Sequence, residues 1–339
     1  MNNKKQVRKK LTLKDVAEVV SLTPATVSKA LRDSSDISTE TRERVKKACE
    51  ELGYRPNLLA RSLISNKSKI LGVLVPDLRI SFFSEAVRGM YEEASIKGYE
   101  CLLLVHDEDE TKERQKLEFL SDIGVDGILL NAVGSSNNYA LYQSLENEGI
   151  EFVCWDRKLD DVDFLSVIID DVKASYQLTK RIINNGRKNI LFLGPNTGIP
   201  VASHRFQGYL KALEEANIEF NPDLVVQTFR DVNDSYNKMS AILKKDLDID
   251  GIVSIGGLIT YGAGKAVLDS GLSIPKDIML GEFGDNNIIS RLGVPFFTVF
   301  QNPYKIGKAA TDLLINLIES RTDVKKLNDI IIDSEVIQR

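Results

Sequence analysis

TPATVSKAL, Thr23 to Leu31, opens like a helix and is over within about two turns. Thr23 suits an N-cap, and Pro24 fits the first helical position, where no backbone N–H is needed. Val27, Ala30 and Leu31 share one face, which leaves Ala25, Thr26, Ser28 and Lys29 turned outward. Upstream, Thr12 precedes Leu13, Val16, Ala17 and Val20, four apolar residues on a second helical face. Thr12 can cap that first turn, and Asp15 suits its positive end. Ser21-Leu22 breaks the pattern. Downstream, Asp33-Ser34-Ser35-Asp36 reads as a loop. A third helix starts near Ser38 or Thr39, buries Val45, Ala48, Cys49 and Leu52, and stops at Gly53.

Three short helices sharing one small core, with a small, polar, singly basic face on the second, have the layout of a helix-turn-helix with a recognition helix. Short side chains allow close approach to a DNA groove. Thr26 and Ser28 can bond phosphates or base edges, and Pro24 and Ala25 can touch thymine methyls. Lys29 and Arg32 can meet phosphate or guanine. A helical packing domain without DNA is the alternative. Next comes RPNLLARSLISNKSK, residues 55–69. Leu58, Leu59, Ala60, Leu63 and Ile64 recur at helical spacing over about eight residues, too few for a stable isolated helix. Such a segment forms only against a partner, and a leucine in it could wedge into the minor groove. A plain linker is the competing reading.

Charge divides the same way. Residues 1–69 hold 16 Lys/Arg and 8 Asp/Glu, while the whole chain of 339 residues is formally −5. The remainder is therefore at −13, and a basic head on an acidic body meets a polyanion only through the head. The length suits two or three domains. No apolar run is long enough to span a membrane, and no apolar signal core follows the basic N-terminus. Cys49, Cys101 and Cys154 lie far apart without metal-ligand spacing, as expected of reduced thiols in the cytoplasm.

The body alternates strands and helices. ILGVLVP (70–76), ECLLLVH (100–106), DGILL (126–130), EFVCWD (151–156) and LSVIID (165–170) read as buried strands with helices between them. The rhythm restarts after Asp171 with RKNILFLG (187–194), a helix from Arg205, DLVVQTF, DGIVSIG (250–256) and IMLGEF (278–283). This predicts two parallel sheets covered on both faces, with ligands held in the cleft between them at the carboxyl ends of the strands. DGILL and DGIVS occupy matching places, which points to an internal duplication. The last elements are a helix from Tyr304 to Ile318 and a strand in KLNDIIIDSEVI.

TLKDVAEVVSLTPATVSKALRD, followed by ISTETRERVKKACEELGYRPNLLARSL, resembles the DNA-binding head and hinge of the LacI/GalR family of bacterial regulators. The likeness covers the head fully and continues more loosely to the C-terminus. It implies a periplasmic-binding-protein-like core of two doubly wound subdomains. The expected divisions are residues 1–56 for the head, 57–69 for the hinge helix and linker, and 70–339 for the effector-binding and dimerisation core. Within the core, an N-subdomain takes about 70–170 plus 299–322, and a C-subdomain takes about 171–298 plus 323–339. The resemblance further implies a cytoplasmic homodimer on a near-palindromic operator. Its DNA contacts would fall on Thr12, Thr23, Pro24, Ala25, Thr26, Ser28, Lys29, Arg32, Asn57, Ala60, Arg61 and Leu63, with Leu63 inserted at the operator centre. A chain ending at Arg339 without a leucine-heptad tail favours a dimer over a tetramer.

By motif position, the family's effector contacts fall on Asp77, Phe82, Phe83, Asp156, Arg157, Arg205, Phe229, Gly256 and Asp285. The Arg205 fork can hold two hydroxyls or a carboxylate. Two departures stand out. The family usually has Asn-Asp where this chain has Gly256-Gly257, and a pocket aspartate becomes Gly284. An ordinary free hexose would leave that wall underbonded. Either a larger ligand fills the space, or Asp285 or Glu282 substitutes, or effector binding is altered or lost.

No catalytic constellation is read. The two histidines, His106 and His204, lack metal-ligand neighbours, and no phosphate loop or nucleophile elbow is present. No cofactor or metal is expected. The expected function is a repressor under control of a sugar-like effector. The alternative is a ligand-independent regulator or activator with a degenerate pocket.

Overall fold

The computed structural model describes residues 11–54, 67–134, 137–159, 162–195, 199–228, 231–245, 247–284, 288–320 and 328–339. The chain divides into two compact units at Ser68/Lys69.

The first unit holds α1 (Leu13–Val19), α2 (Pro24–Ala30) and α3 (Thr39–Leu52). Each starts on a polar cap. The Asp15 carboxylate accepts from the Thr12 backbone N–H at 2.6 Å and its hydroxyl at 2.7 Å. Thr23 and Ser38 accept from the N–H groups of Thr26 and Thr41. Gly53, at φ 70°, ends α3 in the left-handed region that favours glycine. Val16, Val27, Ala30 and Val45 are fully buried and form the centre of a small core with Ala17, Val20, Ala48 and Cys49.

The second unit contains two six-stranded sheets. β1 (Ile70–Val75), β2 (Glu100–Val105), β3 (Gly127–Leu130), β4 (Glu151–Trp155) and β5 (Leu165–Ile168) are parallel. With β11 (Ile330–Ile331) they run β11-β5-β4-β3-β1-β2. The second sheet repeats the plan with β6 (Ile190–Leu193), β7 (Val225–Val226), β8 (Gly251–Ser254), β9 (Met279–Phe283), β10 (Phe297–Phe300) and β12 (Glu335–Gln338). Its order is β12-β10-β9-β8-β6-β7, with β12 antiparallel to β10. DGILL and DGIVS supply β3 and β8, the fourth strand in each order.

Side chains alternate across each strand as the period of two requires. Ile128 and Leu130 face one core and Leu129 the other; Ile252 and Val253 divide likewise. One face of the first sheet packs on α4 (Ser81–Ile96) and α11 (Pro303–Ser320), and the other on α5 (Glu110–Ile123) and α6 (Tyr139–Asn147). The second sheet lies between α7 (Asp171–Asn184) with α8 (Pro200–Glu215), and α9 (Val232–Ile242) with α10 (Gly257–Asp269). Fully buried Leu, Ile and Val side chains, each worth about 1.5–3 kcal/mol, fill these layers.

Three expectations are corrected. KLNDIIIDSEVI is not one strand. Ile330–Ile331 pairs with β5 of the first sheet, and only Glu335–Gln338 joins the second, because the chain crosses between sheets at Asp333-Ser334. Residues 323–339 therefore do not all belong to the C-subdomain. Conversely, Val299 and Phe300 lie in the second sheet within β10, which a boundary at 298/299 would cut. The helix carrying Arg205 begins at Pro200, whose fixed φ starts it five residues earlier than the apolar pattern shows.

Candidate functional site

The outward face of α2 is built by its cap. Thr23 and Thr26 hydroxyls lie 2.8 Å apart, so both are oriented at the helix start. Pro24, Ala25 and Lys29 are exposed, Thr26 and Ser28 half-buried, and Arg32 exposed just beyond the helix. The structure thus presents the side chains expected of a recognition helix on one small surface. Lys29 is engaged: its Nζ lies 2.6 Å from Asp36, whose carboxyl is held down to about 2 by that bond and by Ser34. Lys46 pairs with Asp33 across the same loop. Asn57, Ala60, Arg61 and Leu63 lie outside the described residues.

A cavity of about 730 Å³ opens in the second unit. Its lining comes from the carboxyl ends of β1, β2, β3 and β4 in one sheet and β6, β7, β8, β9 and β10 in the other. Asp77, Phe82, Phe83, Asp156, Arg157, Arg205 and Gly256 all border it. Phe229 and Asp285 lie outside the described residues.

Arg205 is the central polar group. Its Nε donates to Asp171 at 2.7 Å, Nη1 to the Ile255 carbonyl at 2.8 Å, and Nη2 to Gln301 at 3.1 Å. The guanidinium stacks 3.9 Å from the centroid of Phe283. Against described residues it spends three of five donor hydrogens, leaving two N–H for a ligand. Close approach of α7 and α8 makes this possible: a Cβ at Gly208 would meet the Val172 carbonyl at 2.3 Å. Burial pushes the Asp171 carboxyl up to about 6, against the pull of Arg205.

Arg157 borders the same cavity with a different disposition. Its Nη1 donates to Glu108 at 3.0 Å and to the Ala132 carbonyl at 2.7 Å, and Nη2 to Glu108 at 2.6 Å. Although burial opposes its charge, Glu108 holds the guanidinium pKa above its ordinary value. This fork is thereby occupied in holding two cavity loops together. Asp156 sits at φ 64° and accepts from Asn131 at 3.1 Å. Asp77 accepts from the backbone and guanidinium of Arg79. Phe82 and Phe83 are buried as well as cavity-lining, and Phe83 meets Trp155 edge-on at 6.0 Å. Glu282 does not border the cavity; the Thr298 hydroxyl donates to its carboxylate.

Several cavity residues were not anticipated: Arg79, Asp107, Glu108, Ile199, Thr228, Asp231, Leu258 and Gln301. Each follows a strand end within a few residues, a signal available in the alternation itself. Gln301 was missed because FFTVF was not read as a strand. Among the described residues, no cluster of His, Cys, Asp and Glu could hold a metal ion, and no helix is long and apolar enough to cross a membrane.

A helical DNA-binding head joined to a core of two α/β lobes with a ligand-sized cleft defines a ligand-binding transcription regulator as the class. Residues 12–57 match the family model described as bacterial regulatory proteins, lacI family. Residues 68–339 match that of periplasmic binding proteins and sugar binding domain of LacI family. The chain belongs to the LacI family of bacterial regulatory proteins. It is 32% identical over 331 residues to the HTH-type transcriptional regulator RegA of Clostridium saccharobutylicum, covering 97% of this chain and 98% of that protein. The ribose operon repressor of Halalkalibacterium halodurans is 30% identical over 312 residues, covering 91% of each. The fold also matches the lac repressor dimer bound to operator and an anti-inducer, with a TM-score of 0.85 at 21% identity, covering 97% of this chain and 98% of that one.

Proposed function

We propose that this protein is a cytoplasmic, sequence-specific transcriptional repressor, without enzymatic activity, that binds a near-palindromic operator as a homodimer and answers to a sugar-class effector. The observation that supports the reading is that one chain carries both the α2 face and, in its second unit, a cleft where Arg205 spends three of five donor hydrogens on described residues. DNA contacts are assigned to Thr23, Pro24, Ala25, Thr26, Ser28, Lys29 and Arg32, with the hinge residues Asn57, Ala60, Arg61 and Leu63. Thr12, whose hydroxyl is bonded to Asp15, contributes by fixing α1. Effector contacts are assigned to Arg205, Asp156, Asp77, Phe82, Phe83 and Gly256. Arg157 acts by holding its loop to Glu108.

The route from cleft to hinge follows α11. Arg205 holds Gln301 just before this helix, and Glu319 near its end binds Lys69 Nζ at 2.7 Å. A Cβ at Gly307 would meet the Ala86 carbonyl at 2.0 Å, so α11 lies directly against the α4 backbone. Lys69 is the residue from which the chain leaves the core toward the hinge. A ligand that favours one lobe arrangement shifts operator affinity only by its differential affinity for the two states.

The test is operator binding titrated with a panel of sugars and sugar derivatives. At least one should change the operator Kd tenfold or more. An operator Kd indifferent to every compound that binds the protein would overturn effector control.

A further inference from the structure

We propose that His106 is a proton-operated latch in the first lobe: its neutral ring holds the turn after β2 closed, and uptake of a second ring proton releases that turn. The consequence for effector binding rests on the cleft being the effector site; the latch itself does not.

His106 follows β2 directly, and its side chain is fully buried. Nε2 lies 2.8 Å from the Asn131 carbonyl, just beyond β3. Nδ1 accepts from the Glu108 backbone N–H at 3.2 Å. A carbonyl only accepts and an amide N–H only donates, so the two bonds fix a neutral ring with its proton on Nε2. A proton from solvent can then add only at the Nδ1 lone pair. Nδ1–H would face Glu108 N–H, donor against donor, and that bond is lost while the Asn131 bond survives.

The turn held by the lost bond is strained. Asp107 and Glu108 sit at φ 54° and 57°, two consecutive non-glycine residues in the left-handed region. Such a conformation persists only while its surroundings enforce it. The same turn carries the Glu108 carboxylate to Arg157 Nη2 at 2.6 Å. Releasing it draws a carboxylate away from a buried guanidinium, which leaves the charge uncompensated and forces that side chain to rearrange. Asp107, Glu108 and Arg157 all border the cavity, so one ring proton reshapes the wall of the first lobe.

Burial is the largest influence on His106 and holds its pKa below the ordinary 6.5. The Asn131 bond favours the protonated ring, as do Glu113 on α5 and Glu108 on the turn, while Arg157 beyond β4 opposes it. The latch is therefore closed at neutral pH and opens as pH falls through the lowered value. The stability it contributes is present above pH 6.5 and is lost over the same fall. Glu113 is fixed independently: it accepts from the Val133 N–H at 2.6 Å and the Tyr142 hydroxyl at 2.6 Å. The Val133 amide thus serves as an internal reference.

The experiment is residue-resolved hydrogen exchange on the ligand-free, full-length protein from about pH 8 to about pH 5, corrected for the intrinsic pH dependence of exchange. An NMR titration of the two histidine rings, His106 and His204, accompanies it. As His106 gains its proton, the Glu108 amide should lose tenfold or more of its protection while Val133 keeps its own. His106→Asn puts a non-titrating acceptor near the Nδ1 position and should keep Glu108 protected at both ends of the range. His106→Gln can reach Asn131 but offers Glu108 no acceptor, and should leave that amide unprotected throughout. The proposal is overturned if Glu108 stays protected while His106 titrates, or if the ring stays neutral until the fold melts. Loss of Val133 protection together with Glu108, or a pH response in His106→Asn like that of the wild type, would overturn it too. None of these readings uses an effector, so failure of the latch leaves effector control standing, and failure of effector control leaves the latch.

Discussion

Asp171 Oδ1 lies 2.7 Å from Arg205 Nε, with both side chains almost wholly buried beside the cleft. The pair joins the first turn of α7 to α8 and holds Arg205 over Phe283. A buried ion pair of this kind adds little net stability, because desolvation offsets attraction, but losing one partner strands the other. Its importance here is geometric: it fixes the orientation of the guanidinium at the cavity.

Replacing Arg205 by Lys keeps the charge opposite Asp171 but removes the planar fork. Effector affinity should fall at least tenfold, while operator affinity without ligand stays within a factor of two or three. Calorimetry and fluorescence anisotropy on the same preparation check this. Undiminished effector binding would remove Arg205 from the ligand contacts.

The Asp171 carboxyl titrates near 6, above its ordinary 3.8, chiefly because it is buried. A raised folded-state value means that the native protein binds this proton more tightly than the unfolded chain does. The associated stability is fully present below about pH 4 and is lost as pH rises through 6. Comparing wild type with Asp171→Asn by urea unfolding isolates this contribution from other carboxylates. The wild type should lose stability relative to the variant as pH rises from 4 to 7. A pH-independent difference would contradict the assignment.

Gly256 caps α10 in an extended conformation with open space where a side chain would sit. Gly256→Asn should therefore fold normally and add a hydroxyl-binding amide at this point of the wall. Free-hexose affinity should rise several-fold and melting temperature change little. A large drop in melting temperature would mean that the space is needed by the fold.

Lys69 is held four ways: its backbone N–H on Asp126 at 2.9 Å, its ammonium on Glu319 and over the Tyr99 ring, and its carbonyl accepting from Glu100 N–H. Lys69→Met or Glu319→Gln should leave effector Kd and ligand-free operator Kd nearly unchanged but shrink the effector's influence on operator binding. Titrating operator binding with and without effector measures that influence directly. A preserved response in both variants would mean that coupling does not run through α11.

In the head, Lys29 Nζ lies 2.6 Å from Asp36, which would compete with DNA phosphate in the proposed contact. Lys29→Gln should weaken operator binding and flatten the log–log salt slope by about 0.9, the value for one phosphate contact. Asp36→Asn should strengthen binding at low salt. An unchanged slope in Lys29→Gln would remove that contact.

The head was legible almost residue by residue, because caps and apolar spacing are local signals: Thr23, Val27, Ala30 and Gly53 take the roles their spacing implies. In the core, the strand–helix rhythm gave the lobes and their strand ends, and seven expected effector residues border one cavity. What stayed hidden is long-range pairing. Nothing near Arg157 in sequence announces that Glu108, 49 residues away, occupies its fork, or that Gln301 meets Arg205. The crossing at Asp333 was equally invisible, since IIID and EVIQ read as one apolar run whichever sheet they join.

The most direct test of the central claim is selection of genomic DNA fragments by the purified full-length protein at physiological salt without ligand. A near-palindromic site should be enriched, and the enrichment should be lost in a Thr26→Ala, Lys29→Gln double variant that still folds. Recovery of fragments without a shared site, equally by wild type and variant, would contradict sequence-specific binding through α2.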